Sequence, residues 1–463
     1  MKVHLTVLML IMIFIYNFFI DISNDNQPEH AEIIIVAASD SSESAKQSAD
    51  YVAPGVNDHL TIQEALNAVP SSGGEVLLME GTYICERSIR PKELTTLRGE
   101  GETKTFIKFV KNDAHLSVIN EGVTLRDFHV SGENYSYPYK GVVTIRVGHV
   151  TVRNVTGIGD SSIEGVFYVH GGSLPGYNKN IENIEFNNCK VYDAGSTGFV
   201  LNAGGSYLDI INTRFIDCVA INCGRESRYN PWVTGFLFAE NNNLVDLVAI
   251  NCTAEGNWES GFHVENPKTF NGQFLPAIKQ NVTYIDCVSR NNDQKGKQTD
   301  ERTIFGAGFM VSDDMHLINC TSENNRYGFL TYGGGFHIEN SRDTDSWMGV
   351  AMAMPVDPSG TRITGTSLVN QVYPIHFHSG DPIDVVIDGV NIYSETMSMN
   401  TSGITITEGV SNPSGIIIKN SKIDGYEFGI NNVVEGTFVF IDNISVYGAK
   451  IDFVNARIIT SQA

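Results

Sequence analysis

The sequence is poor in positive charge. Of its 463 residues, 31 are Lys or Arg and 53 are Asp or Glu, which gives a formal net charge of −22. So acidic a chain is not built for nucleic acid or anionic membrane as a general partner. Charged residues of both signs make up only 18%, and heptad-patterned stretches are missing, which excludes a coiled coil. Long apolar runs are scarce as well. Leu5–Ile20 has the length of a signal-peptide core and is marginal for a membrane span, so multi-pass insertion is excluded.

What the chain has is a repeat. Asn or Asp followed by Cys recurs at Asn188-Cys189, Asp217-Cys218, Asn251-Cys252, Asp286-Cys287 and Asn319-Cys320. A Gly-Phe step recurs at Gly198-Phe199, Gly235-Phe236, Gly261-Phe262, Gly308-Phe309 and Gly328-Phe329. Self-similarity at a period of roughly 20 to 35 residues marks a stacked array in which no unit buries its apolar face alone. After each Gly, apolar residues alternate (Phe199 and Leu201, Phe262 and Val264, Phe309 and Val311) with Asn202, His263, Glu265 and Ser312, which is the period of a strand. The shortest repeats have room for about three short strands and their turns. The expected fold is a parallel β-helix, with Cys189, Cys218, Cys252, Cys287 and Cys320 in one inward ladder and the five Phe residues in another. Stacking accounts for those cysteines without disulfides, and a Cys223 pairing with Cys218 or Cys252 is left open.

Residues 1–22 read as a signal peptide or an N-terminal anchor, and residues 23–50, polar and Ser-rich, as a disordered linker. The protein is therefore expected to be secreted or held at the cell surface. The β-helix domain is expected at 51–463, with residues 51–83 as its cap. Thr61–Val69 carries Ile62, Ala65, Leu66 and Val69 at helical spacing and stops at Pro70 and Gly73-Gly74, after which Glu75–Leu78 starts a strand. A helix that closes the open end is what a solenoid needs.

The order helix, Gly-Gly, Val-x-Leu and Gly-Thr-Tyr resembles the N-terminal cap of the pectin-lyase-like superfamily, the β-helices of pectate lyases, polygalacturonases and alginate epimerases. The resemblance covers nearly all of the chain after Asp50. It implies an all-β, single-stranded right-handed parallel β-helix with a short N-terminal capping helix, and an acidic polysaccharide as partner. It brings no catalytic residue with it. The Asp-Pro-His-type run of the epimerases is missing, since Asp357-Pro358-Ser359 and Asp381-Pro382-Ile383 lack the His. The closely spaced aspartates with a Gly-His step of polygalacturonases are not found either.

Function is expected where the repeat is interrupted, because insertions cluster on a solenoid's working face. Gly171–Asn180, Gly224–Val233, Asn266–Asn281 and Asn291–Gly306 enter or leave the Gly-Phe strands. They should wall a groove floored by the outward side of those strands. Tyr177, Tyr229, Trp232, Phe270 and Phe274, with Trp258 nearby, offer flat apolar faces to sugar rings. Arg225, Arg228, Lys268, Lys279, Lys295, Lys297 and Arg302 supply positive charge suited to a uronic-acid or sulfated chain. On the floor, His263 and Glu265 point outward from one strand, Ser312, Asp313 and Asp314 follow a coil later, and Tyr332 a coil after that. His376 and His378 lie on the corresponding strand about 20 Å along the axis and read as a second subsite or a separate feature.

Several chemistries suit such a groove. A lyase or C5-epimerase needs a base such as His263, a phenol such as Tyr332 as proton donor, and cations to neutralise the uronate carboxylate. A hydrolase needs two carboxylates, and Glu265 with Asp313 or Asp314 could serve. Calcium could replace the basic residues through Glu240, Glu265, Asp313 and Asp314, which are hard oxygen ligands. The rival from another class is a non-catalytic surface protein for adhesion, envelope architecture or glycan binding. Asn-x-Ser/Thr sequons at Asn134, Asn154, Asn251, Asn281, Asn319, Asn400 and Asn443 match an exported chain, but Asn154, Asn251 and Asn319 sit at the ladder turn.

Overall fold

The computed structural model describes residues 33–458, apart from 112, 134–140, 160–163, 171–173, 175–176, 203–207, 225–232, 239–243, 265–268, 271–272, 275–278, 300–304, 332 and 353–358. The apolar run Leu5–Ile20 and the first part of the expected linker lie outside the described residues. Among those described, no helix is long and apolar enough to cross a membrane.

Each coil contributes three short strands, and each strand pairs in parallel with its counterpart in the next coil. Sheet A runs through Gly74–Leu78, Thr95–Arg98, Ile181–Asn187, Ile210–Ile216, Leu244–Ile250, Val282–Ile285 and Met315–Ile318. Sheet B includes Lys190–Tyr192, Val219–Ile221, Thr253–Glu255, Val288–Arg290 and Thr321–Glu323. Sheet C holds the Gly-Phe strands, from Leu116–Val118 and Gly141–Ile145 through Phe262–Val264 and Ala307–Val311 to Tyr373–Gly380. Among the described residues, 41 strands join this one system. The fold is a parallel β-helix, as the repeat predicts.

The Asn/Asp-Cys step is the corner between sheets A and B. Asn188, Asp217, Asn251, Asp286 and Asn319 adopt φ of 50–55°, the left-handed region that Asn and Asp tolerate best after Gly. Their side chains bond from coil to coil, as where Asn251 Nδ2 donates to Asp217 Oδ1 at 2.6 Å. The cysteine that follows points inward, and its thiol donates to a carbonyl one coil back, as from Cys252 to Phe215 O at 3.5 Å. All seven cysteines are buried and free, so neither Cys223 pairing is formed. The phenylalanines stack as expected: Phe167, Phe199, Phe236, Phe262, Phe309 and Phe329 lie face to face, with centroids 4.6–5.5 Å apart and planes within 12°.

The corner between sheets B and C explains the glycine of the Gly-Phe step. Asn257, Asn292 and Asn325 form a buried column in which each amide oxygen accepts the preceding coil's backbone N–H, at 3.1 Å for Asn257 N to Asn292 Oδ1 and 2.9 Å for Asn292 N to Asn325 Oδ1. A Cβ on Gly261 would lie 1.9 Å from Ser289 Oγ and 2.9 Å from Asn292 Nδ2. Glycine is required there by space. The serines Ser289 and Ser322 that pack under these glycines are followed, one coil on, by Asp343. Its carboxyl is fully buried and accepts from Ser346 Oγ and Gln371 Nε2, both at 2.7 Å. Burial pushes its pKa up to about 7.

The cap is present and begins earlier than expected. Helix α2, His59–Ala68, buries Ile62, Ala65 and Leu66 and ends at an extended Val69, as a following proline demands. The linker assigned to 23–50 is corrected over its second half. Ile33–Ala37 is a strand paired in parallel with the Glu75–Leu78 stretch, and Glu43–Ser48 forms a short helix, α1. The run Ile33-Ile34-Ile35-Val36 is β-branched throughout and buries Ile34 and Val36, which outweighs the polar, Ser-rich sequence around it.

Candidate functional site

Sheet C places one column of side chains on its outward face, coil by coil: Ser117, Thr144, Tyr168, Val200, Leu237, His263, Met310, Leu330, Ala351, His376 and Thr405. Strand alternation predicts this direction for His263 and His376. It also leads one to expect a solvated floor, and the structure corrects that expectation. Tyr168, Val200, Leu237, Met310, Leu330 and Ala351 are buried although they face away from the core. They form two further apolar clusters, the larger one completed by Phe305, Trp347 and Tyr373. The outward face is covered along most of its length, because its apolar column gives overlying chain a surface to pack on.

His263 is 2% exposed. Its Nδ1 lies 3.4 Å from Glu259 Oε2 and 3.1 Å from Ser260 Oγ. Phe305 stands edge-on to the ring, with centroids 5.7 Å apart. Glu259 is fully buried, and its backbone carbonyl accepts from Asp293 N at 2.6 Å. Asp293, buried and at φ 61°, immediately precedes the short helix α3, Gln294–Gln298, in the fourth insertion. The insertion thus docks beside the carboxylate that meets His263. Sequence reasoning passed over Glu259, because it lies on the turn before the strand, outside the period-two pattern. Its spacing of four residues before His263 was the available signal.

The remaining expected residues divide. Asp313 leaves the floor and sits in the turn after the strand, where its Oδ1 accepts from Gly334 N at 2.9 Å. Asp314 is exposed at φ 54°, in register with Asn281, so it belongs to a corner ladder. Trp258 is half-buried against the core at the B–C corner, and its backbone bonds to Cys223 O. Tyr177 is tied down: its hydroxyl accepts from Gly148 N at 3.0 Å and donates to Asn180 O at 3.2 Å. Glu265, Tyr332, Arg225, Arg228, Tyr229, Trp232, Lys268, Arg302 and Glu240 lie outside the described residues. Among the described residues, no group of three or more His, Cys, Asp or Glu is placed to hold a metal ion.

His376 lies four coils beyond His263 in the same column, about 19 Å at 4.8 Å per coil. It is 8% exposed, and its Nδ1 has no hydrogen-bond partner among the described residues. Thr405, its neighbour in the next coil, also buries a hydroxyl with no partner among the described residues. Burial, with the nearby His378, lowers the His376 pKa to about 4, so this ring is neutral at physiological pH. His378 is exposed, its ring 6.1 Å from that of His376.

No protein-family model matches the sequence, and no curated protein matches it. Solved structures similar to it include the A-module of the mannuronan C-5 epimerase AlgE4 of Azotobacter vinelandii, at 16% identity and TM-score 0.38, covering 88% of this chain and 97% of that one. A PL6 alginate lyase in complex with a trisaccharide is 10% identical, with TM-score 0.49 and coverages of 91% and 90%. The catalytic domain of a GH87 α-1,3-glucanase is 14% identical, with TM-score 0.39 and coverages of 86% and 66%. The fold itself rests on the chain's own strand pairing.

Proposed function

We propose that the protein binds a linear acidic polysaccharide along the outward face of sheet C and acts on it by proton abstraction beside a uronate carboxylate, as a lyase or C5-epimerase. The observation that carries this reading is the Glu259–His263 pair, a carboxylate against Nδ1 of an imidazole that faces away from the core. A carboxylate in that position orients the ring and supports the cation formed when the ring accepts a proton. Parallel stacking spaces positions on that face about 4.8 Å apart, a regular track for a linear polymer where overlying chain leaves the face open. Phe305 stands edge-on beside the ring, and the ring is 2% exposed, so a substrate reaches His263 only when the chain packed around it moves. Tyr332 remains the proposed proton donor, and Arg225, Arg228, Lys268 and Arg302 the proposed partners of the sugar carboxylates. Export to the cell exterior belongs to the same proposal and rests on the apolar run at Leu5–Ile20.

The burial of His263 favours a second reading, a non-catalytic glycan-binding protein in which the pair holds the fourth insertion in place. One screen separates the two. The full chain is incubated with uronate polysaccharides, with and without calcium, while unsaturated-uronate absorbance, reducing ends and proton exchange from solvent are followed together. New unsaturated ends mean a lyase, and exchange without cleavage means an epimerase. Reducing ends without absorbance mean a hydrolase and overturn the proposal. Binding with none of the three supports the second reading.

A further inference from the structure

A hollow lies at the N-terminal end of the outward face of sheet C, four coils before His263, over the buried Ser117 and Thr144. There a cavity of about 370 Å³ is floored by Ser117 and Thr144, in register on adjacent strands, with Arg146 two residues beyond Thr144. Leu174, from the first insertion, forms one wall and is fixed by its bridge to Tyr177, the residue pinned to Gly148 and Asn180. Arg90 and His115 complete the polar rim. Ser88 Oγ, at 3.2 Å, and Asp113 O, at 2.8 Å, hold Nδ1 of the His115 ring.

The charge of this cavity runs against that of the chain. In a protein of net charge −22, the described residues that line it include two arginines and no carboxylate. Arg146 Nε is buried without a hydrogen-bond partner among the described residues. Neither Arg146 nor Arg90 has its guanidinium in an ion pair with a described residue. A desolvated guanidinium donor left unpaired is costly, and the planar fork is shaped for a carboxylate or another oxyanion. Ile119 and Leu174 add apolar surface of the kind a sugar ring packs against. The volume is at the lower end of the range for small-molecule sites. Polarity reverses across Arg90, since the adjoining hollow that shares it carries Glu86 and Asp113.

We infer that this cavity is a binding site for an acidic sugar, its carboxylate seated on Arg146 and Arg90 and its ring against Leu174. The site is about 19 Å from His263 along the same face, at 4.8 Å per coil. That it forms the far end of a polymer track rests on the function proposed above, whereas its affinity for an acidic sugar does not.

The test is calorimetric titration of the full chain with a galacturonic acid trimer, a neutral glucose trimer and sodium sulfate. The acidic trimer is expected to bind at least tenfold more tightly than the neutral one. Arg146→Gln should weaken the acidic trimer about tenfold or more, with Arg146→Lys between it and the parent. Arg90→Gln, at an exposed position, should act in the same direction with an unchanged melting temperature. Equal affinity for both trimers, or Arg90→Gln and Arg146→Gln proteins that fold and bind as the parent does, would overturn the assignment. Sulfate binding as tightly as the trimer would give the cavity to a free oxyanion and overturn the sugar. Calorimetry reads binding without turnover, so failure of the chemistry proposed for His263 is read separately.

Discussion

Glu259 Oε2 and His263 Nδ1 meet at 3.4 Å on the outward side of a β-helix, and both side chains are buried. An acidic group and a titratable ring in that relation either run a reaction or fix a loop, and substitutions that keep the shape tell which.

His263→Gln is expected to lower turnover on the responsive polysaccharide by about a hundredfold or more, the range of a lost general base. Glu259→Gln, a positioning change, should lower kcat and shift its pH profile while leaving KM near the parent value. Melting temperatures near that of the parent would accompany both. A His263→Gln enzyme with parental rates removes the ring from the mechanism.

Asp343 should make stability depend on pH. Its carboxyl stays protonated up to about pH 7 in the folded chain, whereas in the unfolded chain it ionises near pH 4. Between those values the folded state binds the extra proton, so stability falls as pH rises through the window and levels off above it. Asp343→Asn is expected to flatten that slope. Melting curves of parent and variant that run parallel from about pH 4 to about pH 8 would refute the assignment.

The thiols should be inert in the folded protein. Burial raises the pKa of Cys218, Cys252, Cys287 and Cys320 well above the ordinary thiol value, and reactivity belongs to the thiolate. A thiol reagent is expected to label none of the seven cysteines within minutes of mixing and all seven in denaturant. Rapid labelling of the native protein would mean that the ladder is open to solvent.

Phe236 stacks on Phe199 and Phe262 at 4.8 and 4.6 Å. Phe236→Ala should cost about 3–5 kcal/mol, seen as a lower denaturant midpoint, whereas Phe236→Leu should cost far less. Equal costs would show that stacking, more than volume, sets the stability of the column.

The array was legible because its corners are chemical. Only Asn, Asp and Gly sit easily at positive φ, and only a small residue fits beneath the corner, so Asn251-Cys252 and its relatives record the turn directly. Gly261 is legible for a different reason, the lack of space against Ser289 and Asn292. The same chemistry explains the sequons: Asn154, Asn251, Asn281, Asn319, Asn400 and Asn443 all have positive φ, and are turn residues first. The site was legible only in direction. Period two places His263 outward, but burial on that face depends on what packs over it, which no local pattern encodes. Asn292 acts on Asn257 and Asn325, 35 and 33 residues away in sequence, and such pairings emerge only once the register is known. The strand at Ile33–Ala37 was missed for the opposite reason, a clear local signal set in misleading surroundings.

Because each coil turns at the same left-handed residue in the same register, separations along sheet C come in whole graduations of about 4.8 Å. Gain or loss of one complete turn of chain between Asn251 and Asn319 would leave every corner chemically intact and move all that follows by one mark. The protein is thus a ruler whose groups can be re-spaced without being redesigned: the interval from Arg146 to His263, or from His263 to His376, can change by counting and not by stretching.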